Sequence, residues 1–353
     1  MTASVPSVDI HLQKTPVANK PGMASKVAVI GAFDTTETNP MYFSNLTDAY
    51  ATLGTDKTTY KGVSCLDKLF IGASDIIAVN ITTITGSGND ITTNTTLTTS
   101  NLTDALAKIK GEDFDMLFIA ENIDDTALAI VKKFVEDSFA IKCPCGYVLG
   151  ITRANTSAYA TTAAAVGDWC YGIITQQFTV NGTELSIVDS GAYYCGLLAG
   201  MNVGNSMTMK TLEGVTKVNP ELTFETGDAG LALLQAGITT VKCQDRTNKV
   251  HVVVNSELPN GYDLYINRVR DFVVKAFNLH QYLGSRTREP TLDEIKQELD
   301  SIKEKCVNTL DLLKDITYTV EKKSAECVDI YIDSLLFAGV LTKINVYVRV
   351  EVE

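Results

Sequence analysis

Histidine, the side chain most often used to move protons near neutral pH, is almost missing from this chain. Of 353 residues three are histidine, His11, His251 and His280. They fall on an N-terminal strand, in an apolar strand and on a helix, none beside a cysteine or a paired acid, which leaves no histidine triad and no metal centre of ordinary pattern. Positive charge is also scarce: 30 Lys and Arg against 42 Asp and Glu give a net charge of −12. That balance argues against a nucleic-acid binder, which needs basic side chains to displace counterions from phosphates. An acidic subunit is better suited to a basic or mixed protein surface. No apolar run approaches the roughly 20 residues needed to span a bilayer. No charged-then-apolar leader opens the chain, so direct membrane insertion is not expected and the protein is expected to stay in the cytoplasm where it is made.

Glycine-rich phosphate loops are absent too. Gly31-Ala32-Phe33-Asp34 follows an apolar strand but lacks the later glycines of a dinucleotide fingerprint, and Phe33 would obstruct a pyrophosphate. No Gly-x-Ser-x-Gly elbow occurs. The eight cysteines, Cys65, Cys143, Cys145, Cys170, Cys195, Cys243, Cys306 and Cys327, are scattered among apolar residues and read as reduced, mainly buried thiols. Cys143-Pro144-Cys145 has the wrong spacing for a zinc knuckle or a redox dithiol and reads as a turn into a strand. The acidic pair Asp124-Asp125 stands where a helix N-terminus favours carboxylates. No catalytic residue, cofactor or metal is expected.

The termini carry strong patterns. Ile344, Val346, Val348, Val350 and Val352 alternate with polar residues to the last position, a period-two strand that is either the last of its own sheet or an arm added to a neighbour's. Val8, Ile10 and Leu12 alternate likewise, and the stretch from Lys14 to Gly22, with Pro16 and Pro21, reads as a linker. Gly339 is a candidate hinge before the last strand.

Between the termini the pattern is α/β. Continuous apolar runs predict buried strands at Lys26–Phe33, Asp75–Ile81, Phe114–Ile119 and Cys145–Ile151, alternating with helices at Leu102–Ile109, Asp124–Val135 and Ser157–Val166. Thr82–Asn101, rich in Thr and Asn, reads as an exposed loop or weak hairpin, and Asn181-Gly182 as a type I′ turn between two strands. A helix is expected at Ala192–Met201, then a polar stretch over Asn202–Gly227. From Asp228 the pattern predicts a short helix closed by Gly237, a strand pair at Thr239–Cys243 and Val250–Asn255, and a helix over Tyr262–Leu283. A capping box at Thr291 opens a further helix, and strands follow at Ile316–Val320 and Cys327–Ile332. The expected fold is an α/β outer domain plus an α+β C-terminal inner domain with extended strand arms. The divisions are an arm and linker over 1–23, the outer domain over 24–227, the inner domain over 228–338 and a C-terminal arm over 339–353.

Four segments, Gly191–Gly200 with Asn205-Ser206-Met207-Thr208, Asp228–Ile238, Ile266–Asp271 and Tyr282-Leu283-Gly284, resemble in their order the C-terminal half of contractile tail sheath proteins of myophages, R-type bacteriocins and related injection systems. The resemblance implies a subunit of stacked six-fold rings around a tail tube, with baseplate and tail terminator proteins as further partners. It also implies arms, carried by Val8, Ile10, Leu12 and Ile344 to Val352, that donate strands to neighbouring subunits. Another self-assembling tail or shell protein, or an α/β enzyme with an unrecognised site, remain the alternatives.

Overall fold

The computed structural model describes residues 25–85, 92–141, 143–279, 289–323 and 327–337. At its centre β1 (Lys26–Gly31) lies between β3 (Asp75–Asn80) and β6 (Met116–Ile119). On the far side of β6 come β7 (Gly146–Gly150) and β8 (Cys170–Ile174), and beyond β3 comes β2 (Met41–Phe43). All pairs are parallel except β2 with β3. The apolar runs have a direct cause, because strands covered on both faces need apolar side chains at every position.

Alternate residues separate into two cores, as the pleat requires. Val27 and Val29 meet α1 (Leu46–Leu53), α2 (Lys61–Leu69) and α6 (Ile187–Ala199). Ala28 and Ile30 meet α3 (Thr99–Lys108), α4 (Asp125–Ala140) and α5 (Thr156–Ala165). The sequence reading marked no element between Phe33 and Asp75, yet β2, α1 and α2 lie there. With 3, 8 and 9 residues, each is too short for its periodicity to stand out. Helix α6 begins at Ile187, before the expected Ala192, because Ser186 caps it by accepting from the Asp189 amide at 3.1 Å.

Smaller sheets surround this body. The Thr-rich segment forms the weak hairpin of β4 (Thr83–Thr85) and β5 (Thr92–Asn94). β9 (Gln177–Val180) turns into β10 (Thr183–Glu184) through Asn181 and Gly182 at φ 49° and 85°, the two positive values a type I′ turn needs. The other edge of β9 carries β11 (Val215–Asn219), which the sequence reading left inside a polar stretch; only Val215 and Val218 of this strand are buried. After α7 (Ala229–Gln235), β12 (Val241–Asp245) pairs with β13 (Val250–Val253).

The last part holds α8 (Leu264–Ala276), α9 (Glu289–Glu304), which runs on into a π turn over Lys305–Thr309, and the antiparallel pair β14 (Asp315–Lys322) and β15 (Val328–Leu336). Helix α8 is shorter than expected, with Phe277 as its C-cap. Helix α9 starts at Glu289, so Thr291 stands inside its first turn and not at the predicted capping position. Pro290 fits there because a first-turn residue has no intrahelical N–H bond to lose. A third core joins α8, α9, β14 and β15 through Val269, Val273, Leu299 and Ile316. Leu233 and Ile238 belong to the core under α3 and α4, and Val253 and Leu264 to the core under α2 and α6. Apolar packing therefore changes partners near Leu264.

Candidate assembly surface

The residues singled out as assembly contacts, Val8, Ile10, Leu12, Ile344, Val346, Val348, Val350 and Val352, and the linker or hinge positions Pro16, Pro21, Gly22 and Gly339, lie outside the described residues. The described part contributes a two-stranded sheet. Ile316, Tyr318 and Val320 of β14 and Ile330, Ile332 and Leu335 of β15 pack toward the third core, and a register shift at Thr317/Tyr318 keeps that alternation in phase. Tyr318 fixes the sheet to the helices: its ring meets Phe277 edge-on at 5.7 Å, and its hydroxyl donates to Asp300 Oδ1 at 2.6 Å. Burial and the Asp300 charge push that phenol up to about 12.

The opposite face is mainly polar, with Thr319 donating to Asp333 at 2.7 Å, and exposes Tyr331 and Leu336 beside these groups. Among the described residues both outer edges of this sheet are unpaired. In an antiparallel pair about half of each strand's N–H and C=O groups point away from the partner. Two strands alone are marginal in water, so the helical backing is what holds these edges in place.

Helix α8 is the wall between this unit and the α/β body. Tyr265, Val269, Val273 and Phe277, spaced four apart, enter the third core. Full burial of side chains of this size contributes about 1.5–3 kcal/mol each. Its other side is also buried although it is polar. Arg268 is 2% exposed, and its Nη2 donates to the carbonyls of Leu198 at 2.9 Å and Met201 at 3.0 Å, at the C-terminal end of α6. Burial draws the Arg268 pKa below the ordinary arginine value. The carbonyl end of a helix is where a buried cation is best tolerated.

Further along the same side, Asp271 accepts from the Tyr171 hydroxyl of β8 at 2.6 Å and from Arg270 Nε at 2.8 Å. Burial raises its carboxyl pKa, and Arg270 and Tyr171 offset only part of that. The Arg270 guanidinium lies over the rings of Phe139 and Trp169, 5.5 and 5.4 Å from their centroids. Lys275 then reaches Asp115 at 2.9 Å and Asp113 at 3.4 Å. Burial opposes its charge, but the two carboxylates outweigh it and hold the pKa above the ordinary lysine value.

The start of α8 is fixed as firmly. Asp263 caps it, with Oδ1 accepting from the Tyr265 amide at 3.1 Å. Its Oδ2 accepts from the hydroxyls of Ser206 and Ser256, both at 2.8 Å, and of Thr208 at 3.3 Å. Two segments that looked characteristic in the sequence, Asn205–Thr208 and Ile266–Asp271, therefore meet at one helix. A third, Gly191–Gly200, is a packing surface. A Cβ on Gly191 would come within 2.8 Å of the Gly150 backbone, and one on Gly196 would overlap the Lys68 carbonyl, so glycine lets α6 lie directly on β7 and α2. Sequence reasoning missed Arg268 and Asp271 as buried groups and Lys275 as a part-buried one. Their three- and four-residue spacing on an otherwise apolar helix was the available signal.

A crevice of about 370 Å³ opens beside the carboxyl ends of β1 and β6, where the strand order reverses, the usual ligand position in open α/β sheets. Lys61 and Glu121 pair across it at 2.5 Å. The helix starts at its rim are capped by their own side chains, Thr98 for α3 and Asp124 for α4. The Phe33 ring packs on Gly62 of α2, where a Cβ would lie 2.6 Å from it.

No protein-family model matches the chain, and no curated protein matches it. Solved structures do. The sheath tail protein of Desulfitobacterium hafniense superposes with a TM-score of 0.68 at 13% identity, over 94% of this chain and 99% of that one. That of Listeria innocua gives 0.66 at 14%, over 90% and 95%. A chain of the anti-feeding prophage helical sheath in its contracted state gives 0.63 at 14%, over 99% of both. The fold is that of tail sheath proteins.

Proposed function

We propose that this chain, having the fold of tail sheath proteins, is the structural subunit of a contractile tail sheath. Its copies form stacked hexameric rings around a tail tube and drive that tube through a target envelope on contraction. The observation that carries the reading is the β14–β15 sheet, backed by α8 and α9 and with no further strand on either edge among the described residues, in a chain that follows the sheath fold over nearly its whole length. The alternating termini supply the complement. Strands carrying Val8, Ile10 and Leu12, and Ile344 to Val352, add to such edges on neighbouring subunits. The Lys14–Gly22 linker and Gly339 let the arms swing while the pairing persists.

Each added backbone hydrogen bond contributes only about 0.5–1.5 kcal/mol net, so the mesh draws its strength from repetition. The tube protein, the baseplate and the tail terminator are the remaining partners. Assembly takes place in the host cytoplasm, and the product is a phage tail or phage-tail-like particle. Negative-stain microscopy of the purified chain tests this: wide striated cylinders are expected. Narrow smooth tubes would assign it to the tube, and monodisperse particles under all conditions would return the question to an α/β enzyme.

A further inference from the structure

On a chain with a net charge of −12, one groove runs against the trend. It lies between β11 and the β12–β13 hairpin, measures about 440 Å³, and is lined by Lys217, Arg246, Lys249 and His251 with Glu221 as the one carboxylate. Glu221 offsets one of its three basic side chains and leaves the lining net positive. Its contact with Arg246 is 3.3 Å long, with the two side chains 55% and 85% exposed, a class of pair that contributes next to nothing. Asp245, the acid next to Arg246, is occupied elsewhere. Its Oδ1 accepts from the amides of Thr247 at 2.8 Å and Asn248 at 3.0 Å, and its Oδ2 from the Asn248 side chain at 2.7 Å.

The frame holding these cations is stiff. Lys249 sits at φ 54°, a left-handed position that favours glycine or asparagine. The buried His251 ring places Nδ1 within 3.1 Å of the Val215 carbonyl and 3.0 Å of the Lys249 carbonyl, joining β13 to the start of β11.

We propose that this groove docks a carboxylate-bearing surface of a second copy of the chain, an inference that rests on the sheath reading. Subunits with this net charge repel one another when packed within a Debye length, roughly 8–10 Å near physiological salt. Close packing is favoured when an exposed cationic groove faces the acid that the same chain carries in excess. The second copy is the occupant that the chain's own charge supplies.

The test compares three full-length proteins: wild type, Lys217→Glu/Arg246→Glu/Lys249→Glu, and a control matched in net charge, Lys110→Glu/Lys133→Glu/Lys305→Glu. All six positions are exposed, and circular dichroism verifies that each protein folds. The critical concentration for assembly is measured by sedimentation at about 50 and about 500 mM salt. The groove variant is expected to need at least about tenfold more protein than the control at low salt, and to approach it at high salt. Equal behaviour of the groove variant and the control would overturn the inference while leaving the sheath reading in place. A wild type that assembles at neither salt would overturn the sheath reading and the inference with it.

Discussion

Arg268 shows how a single side chain can join two parts of a molecule. Its guanidinium closes the carbonyl end of α6 from within α8, so truncation removes a buried cation and strands those carbonyls together. Arg268→Ala is expected to lower unfolding free energy by about 3 kcal/mol in urea titration. Arg268→Lys should recover only part of that, since an ammonium lacks the planar fork. The ion pairs at the other end of α8 predict a pH effect. Asp113 is half exposed, and its partial desolvation is outweighed by Lys275 and Lys26 beside it, which hold its pKa below the usual 3.8. A depressed carboxyl contributes stability above its unfolded value and loses it as pH falls through the lower folded value. Lys275→Met should therefore flatten the loss of stability between neutral pH and about pH 3, read as urea midpoints. An equally steep loss in the variant would show that Lys275 does not set the Asp113 pKa.

At the scale of elements, α6 depends on close approach. Gly196 meets the Lys68 carbonyl where no Cβ fits, and that neighbour is backbone, which cannot rotate aside. Gly196→Ala should destabilise by about 1–3 kcal/mol, the usual cost of overpacking, despite alanine's better helix propensity. Thermal melts decide the sign, and a stabilised variant would show that α6 does not rest on α2 this tightly. The β14–β15 pair is a contrasting element. It is backed on one face and, among the described residues, unpaired at both edges, which suits an element completed by a further strand.

At the scale of the whole molecule, α8 ties the α/β body to the third core at both of its ends. Under the sheath proposal, that join is what lets the subunit move as one piece. Removing Ile344 to Glu353 is expected to leave a folded subunit that no longer forms cylinders. Cylinders of normal length from that truncation, seen by electron microscopy, would show that the terminal strand belongs to its own subunit's sheet.

The parallel sheet was legible in the sequence because strands covered on both faces leave unbroken apolar runs, as at Lys26–Ile30 and Asp75–Val79. The I′ turn at Asn181-Gly182 was legible because few other residues adopt two successive positive φ values. The assembly contacts expected from the sequence are a strand pattern at each terminus, and those residues lie outside the described ones. Tertiary structure decided the seat of α8. Tyr171 and Asp271 stand 100 residues apart, Arg268 and Leu198 70 apart, and a charged residue on a helix looks solvated until its distant partner is known. Periodicity records which side chains avoid water, and these avoid it through hydrogen bonds that only the folded chain brings within reach.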